Sequence, residues 1–181
     1  MRDAVYQQLD RIATWPIFAV LLVAFILCYL GFQRRKKVIN ELAGGKEVIL
    51  FDGRESYTSD EARDLLEMIG ERGRRIYAIT EVTLDFIFPV IYGGLFLIAL
   101  FRLYGNDPGY LLLVPLIAVV ADWLENFTAA YLAWSYRGLS SPAARFASAF
   151  TGMKRSAITV STLLVIAGIA IWVWRWRRAS G

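Results

Sequence analysis

Residues 15–32 read WPIFAVLLVAFILCYLGF, eighteen consecutive positions without a charge, and Arg34-Arg35-Lys36-Lys37 follows almost at once. A helix needs about 20 mostly apolar residues to cross a hydrocarbon core of ~30 Å. This stretch therefore reads as a transmembrane helix, with Trp15 at the interface and Pro16 at its first turn. A second run, SAITVSTLLVIAGIAIWVW at 156–174, is also free of charge. Two further apolar segments lie between them. Residues 76–101 carry Glu81 and Asp85, then sixteen uncharged positions; residues 110–134 are interrupted by Asp122 and Glu125. The expected fold is an all-α integral membrane protein, a four-transmembrane-helix bundle. It forms a single membrane domain over 1–181, with spans at about 15–32, 76–101, 110–134 and 156–174.

Composition agrees and removes whole classes of function. Hydrophobic residues make up 57% of the 181 residues, and the mean hydropathy is +0.46, more apolar than a soluble domain or a disordered chain. One cysteine, Cys28, excludes a disulfide scaffold. The absence of histidine excludes histidine-ligated haem or zinc, Ser-His-Asp triads and Cys-His dyads. A secretory signal carries its positive charge before the apolar run. Here the strong charge comes after it, so span one reads as a retained anchor.

Orientation follows from Lys/Arg beside the spans. With both termini outside, segments 33–75 and 135–155 are cytoplasmic and hold fourteen Lys/Arg, against six in the outside segments. The Arg175, Arg177 and Arg178 group opposes this balance. The outside loop Tyr104-Gly105-Asn106-Asp107-Pro108-Gly109 has tight-turn chemistry and makes spans two and three antiparallel neighbours.

Segment 33–75 is long enough for a small cytoplasmic amphipathic-helix segment between spans one and two. Val48–Phe51 suggests a short extended piece ending in an Asp52-Gly53 turn. Thr58 and Glu61 form a capping-box pattern, and the helix it starts carries Leu65, Leu66, Met68 and Ile69 on one side, ending near Gly70–Gly73. Arg72, Arg74 and Arg75 then lie at headgroup level, where they can contact lipid phosphates. Residues 143–150 read as a short interfacial helix leading into span four.

The chemistry sits in the spans. Glu81, Asp85, Pro89 and Tyr92 share one face of span two. Pro89 removes the helical bond to the Asp85 carbonyl, which is left free for another donor or a cation. Asp122, Glu125 and Asn126 share a face of span three; Ser156, Thr159 and Thr162 follow 3-3 spacing in span four, with Lys154 just before. At ~1.5 Å per residue from the cytoplasmic side, Glu81 lies ~7 Å deep, Asp85 ~13 Å, Glu125 and Asn126 ~12–14 Å, and Asp122 ~18 Å. With Thr159 and Thr162 ~5–9 Å beyond Ser156, three helices thus put polar groups in one band. Ionised carboxylates facing lipid cost at least ~2.5–3.5 kcal/mol each. They must turn inward and be paired, protonated, hydrated or bound to a cation.

This band reads as a site, open to the cytoplasmic leaflet, for a small molecule, lipid or cation. Its residues are Glu81, Asp85, Tyr92, Asp122, Glu125, Asn126, Thr159 and Lys154. Two other readings remain at this point. One is an accessory subunit of a larger membrane complex. The other is a metal-dependent lipid-headgroup enzyme, in which paired acids would hold Mg²⁺ without histidine, although no familiar metal–phosphotransfer motif is present. Structural helix glue accounts for the same acids with no ligand. The expected partners are the lipid bilayer, a lipid or small-molecule ligand, and a membrane complex or second copy of the chain; no nucleic acid is expected. No cofactor is specified.

Overall fold

The apolar run from Trp15 continues as helix straight through the basic cluster to Leu42. No glycine or proline interrupts residues 32–42, so the helix that starts in the apolar run has no reason to stop at the basic residues. The computed structural model describes residues 2–105 and 108–179, with side chains from residue 7 onward. Asn106 and Asp107 of the tight-turn loop lie outside the described residues. The described elements are all helical: α1 Arg2–Ile12, α2 Trp15–Leu42, α3 Ser59–Met68, α4 Gly70–Glu81, α5 Leu84–Tyr104, α6 Leu113–Trp134 and α7 Ala143–Ala179, with 3₁₀ turns at Phe51–Gly53 and Gly109–Leu112. Four stretches are long and apolar enough to cross a membrane: Trp15–Leu42, Gly70–Tyr104, Gly109–Trp134 and Ala143–Ala179.

Three expected boundaries change. The segment from residue 33 is not separate from span one, because α2 reaches Leu42. The second apolar segment is broken: α4 ends at Glu81 and α5 begins at Leu84. Thr80 and Thr83 return their hydroxyls to the carbonyls of Ile76 and Ile79, a back-bonding that bends helices. Depths counted along one continuous helix therefore do not carry across this break. Residues 143–150 form no separate interfacial helix; they are the first turns of the 37-residue α7. The Val48–Phe51 piece keeps its expected form, an extended stretch that runs into a turn, here the 3₁₀ turn Phe51–Gly53.

Helix α6 is the centre. It packs on α4, α5 and α7, while α2 lies against α4 and α5. Close approach follows from small residues. Ala118, Ala121, Ala129, Ala130 and Ala133 line the buried side of α6. Ala144, Ala147, Thr151, Ala157, Ser161 and Gly168 line that of α7. Small surfaces let helix backbones meet where apolar area alone gives no preference for a neighbour over lipid. Gly93 is in the same position on α5: a Cβ there would overlap the side chain of Val119.

The largest apolar core lies at the α3 end, beyond the apolar runs. Val48, Leu50, Phe51, Tyr57, Leu65, Leu66 and Ile69 pack there with Tyr77 and with the alanines of α6 and α7. The Phe51 ring stacks on Tyr57 at 4.6 Å and meets Tyr77 edge-on at 5.7 Å, contacts worth about 0.5–1.5 kcal/mol each beyond burial. The capping box forms as the sequence implies. Thr58 Oγ1 accepts the Glu61 amide at 3.2 Å, and the Glu61 carboxylate accepts the Thr58 amide at 2.7 Å. At the other end of the bundle, Ala13 packs with Ile98 and Phe101, and Arg102 donates to the Ala13 carbonyl.

Candidate functional site

Two buried cations organise five carboxyl groups where α2, α4, α5, α6 and α7 converge. Arg35 comes from the part of α2 that follows the apolar run. Its guanidinium donates to Glu81 Oε1 at 2.8 Å and to Asp52 Oδ2 at 2.7 Å, and lies 3.6 Å from Asp85 Oδ2. Its carbon sits 5.0 Å from the Phe32 ring centre and 5.3 Å from that of Tyr77. These faces hold the guanidinium as cation–π partners. Lys154 on α7 is paired with Asp122 at 3.1 Å and with Glu125 Oε2.

Hydroxyls and one amide complete the arrangement. Tyr92 donates to Asp122 Oδ2 at 2.9 Å. Thr151 donates to Glu125 Oε1 at 2.8 Å. Asn126 Nδ2 donates to the Asp85 carbonyl at 2.7 Å. That carbonyl is the one Pro89 strips of its helical donor, so the proline and the asparagine are two halves of one device. It ties α6 to α5 beside Asp85, between the Arg35 group and the Lys154 group.

Burial sets the electrostatics. Arg35, Glu81, Asp85, Asp122, Glu125, Asn126, Thr151 and Lys154 are all buried. Asp52, with its side chain 30% exposed, is the wettest carboxylate paired to Arg35. With every group ionised, five carboxylates face two cations, a formal excess of three negative charges. Glu81 Oε2, Asn126 Oδ1 and the Tyr77 hydroxyl find no hydrogen-bond partner among the described residues. Such orphans are uncommon in folded proteins and call for a physical account. Nearby, burial pushes the Tyr57 hydroxyl well above the usual tyrosine range, and the negative charges of Glu125 and Glu81 add to the effect. Tyr57 therefore stays neutral at the edge of the network, and its hydroxyl also finds no hydrogen-bond partner among the described residues.

Seven of the residues singled out from sequence come together here: Glu81, Asp85, Tyr92, Asp122, Glu125, Asn126 and Lys154. Thr159 does not. It is exposed on α7, as are Ser156 and Thr162, while Thr151, Lys154, Ala157 and Ser161 turn inward. The 3-3 spacing of those three hydroxyls follows the wrong stripe, because the inward face is set by the small residues that meet α6. Arg72, Arg74 and Arg75 also lie apart. Arg72 is exposed, Arg75 pairs with Glu71 at 2.9 Å, and Arg74 donates to the Leu66 carbonyl at 2.9 Å and stacks over Tyr136.

Sequence reasoning missed Arg35, Asp52 and Thr151. For Arg35 a signal was present. Cys28, Phe32, Arg35 and Ile39 fall at 4-3-4 spacing, one face of a helix that continues through the basic run; Cys28, Arg35 and Ile39 are the buried residues of α2. Thr151 likewise falls on the stripe Ala144, Ala147, Thr151, Lys154. Asp52 had none, since only the folded turn brings it to Arg35.

Among the described residues no three acids lie close enough to hold a metal ion. The positions between the acids belong to Arg35 and Lys154, which each touch two or more carboxylates. No protein family, curated protein or solved structure matches the chain.

Proposed function

We propose that the chain is a multi-pass membrane protein with both termini outside, and that the buried network binds a small ammonium-type cation reached from the cytoplasmic side past Asp52. The observation that carries this reading is the charge imbalance together with the orphaned acceptors Glu81 Oε2 and Asn126 Oδ1. Excess negative charge in so dry a place is costly unless protonation or a bound cation removes it, and the orphaned acceptors favour the cation. A primary ammonium has N–H donors for separate acceptors and needs no closed cage of carboxylates. That favours it over a divalent metal, and it ranks the metal-dependent headgroup enzyme lower. Arg35 and Lys154 hold the acids at fixed spacing, so the site is arranged before the ligand arrives. The accessory-subunit reading rests on the exposed apolar faces of α2 and α7, which lipid covers equally well.

The test is a thermal-unfolding titration of the detergent-purified chain at constant ionic strength with ammonium, methylammonium, sodium and tetramethylammonium. A ligand bound to the native state alone raises stability by RT ln(1 + [L]/Kd). Ammonium and methylammonium should stabilise wild type, and tetramethylammonium, which has the charge without N–H donors, should not. Glu81→Gln and Asp85→Asn should lose the response. An equal response to all four ions, or an unchanged response in both amide variants, would leave the network as scaffold.

A further inference from the structure

Helices α4 and α6 do not close against each other along their whole length. Ala78 and Ala130, both buried, form a small-residue floor between them. Ile79, Val82, Tyr131 and Trp134 stand on either side, all exposed, and enclose an apolar cleft of about 290 Å³. At its upper end the cleft opens into a larger hollow of about 740 Å³, lined by Glu71, Arg74, Arg75, Ala133 and Tyr136, with Ile79 and Trp134 common to both. A basic mouth thus leads directly into an apolar slot on the outer surface of the bundle.

We infer that this groove binds one anionic glycerophospholipid, its phosphate at Arg74 and Arg75 and the start of an acyl chain between Ile79 and Trp134. The inference rests on the chain lying in a membrane and is independent of the ammonium site. Charge complementarity and the order of chemistry along the groove support it. Arg74 is already fixed, with its guanidinium 4.5 Å from the Tyr136 ring centre and Nη1 on the Leu66 carbonyl. Arginine has five N–H donors in a planar fork, so most of them remain for a phosphate. Arg75 pairs with Glu71, but both side chains are 71% exposed, and such surface pairs exchange partners at little cost. Glu71 is the one acid of the mouth, against two arginines. Trp134, 74% exposed, is the kind of amphipathic ring that sits at headgroup level. A soluble anion would use the arginines and leave the apolar slot unexplained; a zwitterionic lipid would use the slot and leave the arginines unmatched.

The experiment is native mass spectrometry of the full chain, extracted from vesicles of phosphatidylcholine containing a minor fraction of phosphatidylglycerol. Wild type should retain one phosphatidylglycerol in preference to phosphatidylcholine. Arg75→Gln should lower that retention about fivefold, the equivalent of the ~1 kcal/mol that a basic residue contributes near an anionic headgroup. Arg72→Gln removes the same charge outside the groove and should leave retention unchanged. Ile79→Trp fills the exposed wall of the slot, keeps both arginines and should displace the lipid. Retention of both lipids in proportion to the vesicle composition would overturn the inference. So would an Arg72→Gln loss equal to that of Arg75→Gln, which would reduce the effect to general attraction by a basic surface. Phosphatidylglycerol still held by Ile79→Trp would remove the acyl slot.

Discussion

Lys154→Met tests whether the buried ion network is real and energetically coupled. The methionine keeps length and apolar volume while deleting the charge. In the native chain Lys154 is 10% exposed, and its partners Asp122 and Glu125 are 3% and 1% exposed. At the 3.1 Å separation from Asp122, the Coulomb attraction is about 5 kcal/mol for an effective dielectric of ~20. Desolvation of all three groups consumes much of this, so the net value of the pairing is far smaller. Loss of one partner is a different quantity, because Asp122 and Glu125 then lie unpaired in a dry core. Breaking a buried pair in this way costs about 3–5 kcal/mol, a large share of the ~5–15 kcal/mol that holds a domain folded. Adding Asp122→Asn and Glu125→Gln to Lys154→Met removes the stranded charges and should recover most of the loss. The assay is reversible unfolding in mixed micelles followed by tryptophan fluorescence, since Trp123 stands beside Asp122 and its ring stacks on Phe86. A Lys154→Met variant within about 1 kcal/mol of wild type, or a triple variant no more stable than the single one, would refute the reasoning.

The remaining predictions concern the break, the cap and the orientation. Asn126→Ala strands the Asp85 carbonyl and should cost ~1–3 kcal/mol; in the Pro89→Ala background, where residue 89 can donate to that carbonyl again, the same change should cost less. A double-mutant cycle additive within ~0.5 kcal/mol would show that the two residues are not coupled. Thr58→Ala should raise amide exchange through α3 by loss of a cap worth ~0.5–2 kcal/mol, with the apolar helices unaffected. The Thr58 amide and hydroxyl hold the Glu61 carboxyl below the usual carboxylate range. Its contribution is therefore present above the unfolded value of ~4.3 and lost as pH falls through the lower folded value. Protection of the first turn of α3 that does not fall on acidification below that range would contradict the sign. In a Cys28→Ser background, a cysteine at exposed Ser56 should label only from the cytoplasmic face and one at exposed Tyr110 only from the outer face; the reverse pattern would overturn the both-termini-outside arrangement.

The four long apolar helices, the Thr58–Glu61 cap and the inward turn of Glu81, Asp85, Asp122 and Glu125 were legible in the chain itself. Each depends on neighbours within a few residues, or on the energetic rule that ionised groups do not face apolar surroundings. Even the Asn126 bond was half visible, because Pro89 announces a carbonyl in need of a donor. Of the cations that meet the acids, Lys154 stood out in the chain, but Arg35 and the pairing of cation with carboxylate did not. Arg35 lies 46 residues from Glu81, and Asp52 reaches Arg35 only because the 3₁₀ turn is anchored by Phe51 among Tyr57 and Tyr77. The same four-residue basic run that reads as an orientation signal contains one member that points into the core; the Cys28, Phe32, Arg35, Ile39 stripe sets Arg35 apart from Arg34, Lys36 and Lys37, and the packing of α2 against α4 and α5 makes that stripe the buried one. On α7 the small residues that allow contact with α6 decide which stripe is buried, and so exclude Thr159 in favour of Thr151 and Ser161. Local pattern determines which helices form and which groups cannot face outward; which cation meets which carboxylate is a property of how helix surfaces fit, and that is decided by contacts between residues far apart in the chain.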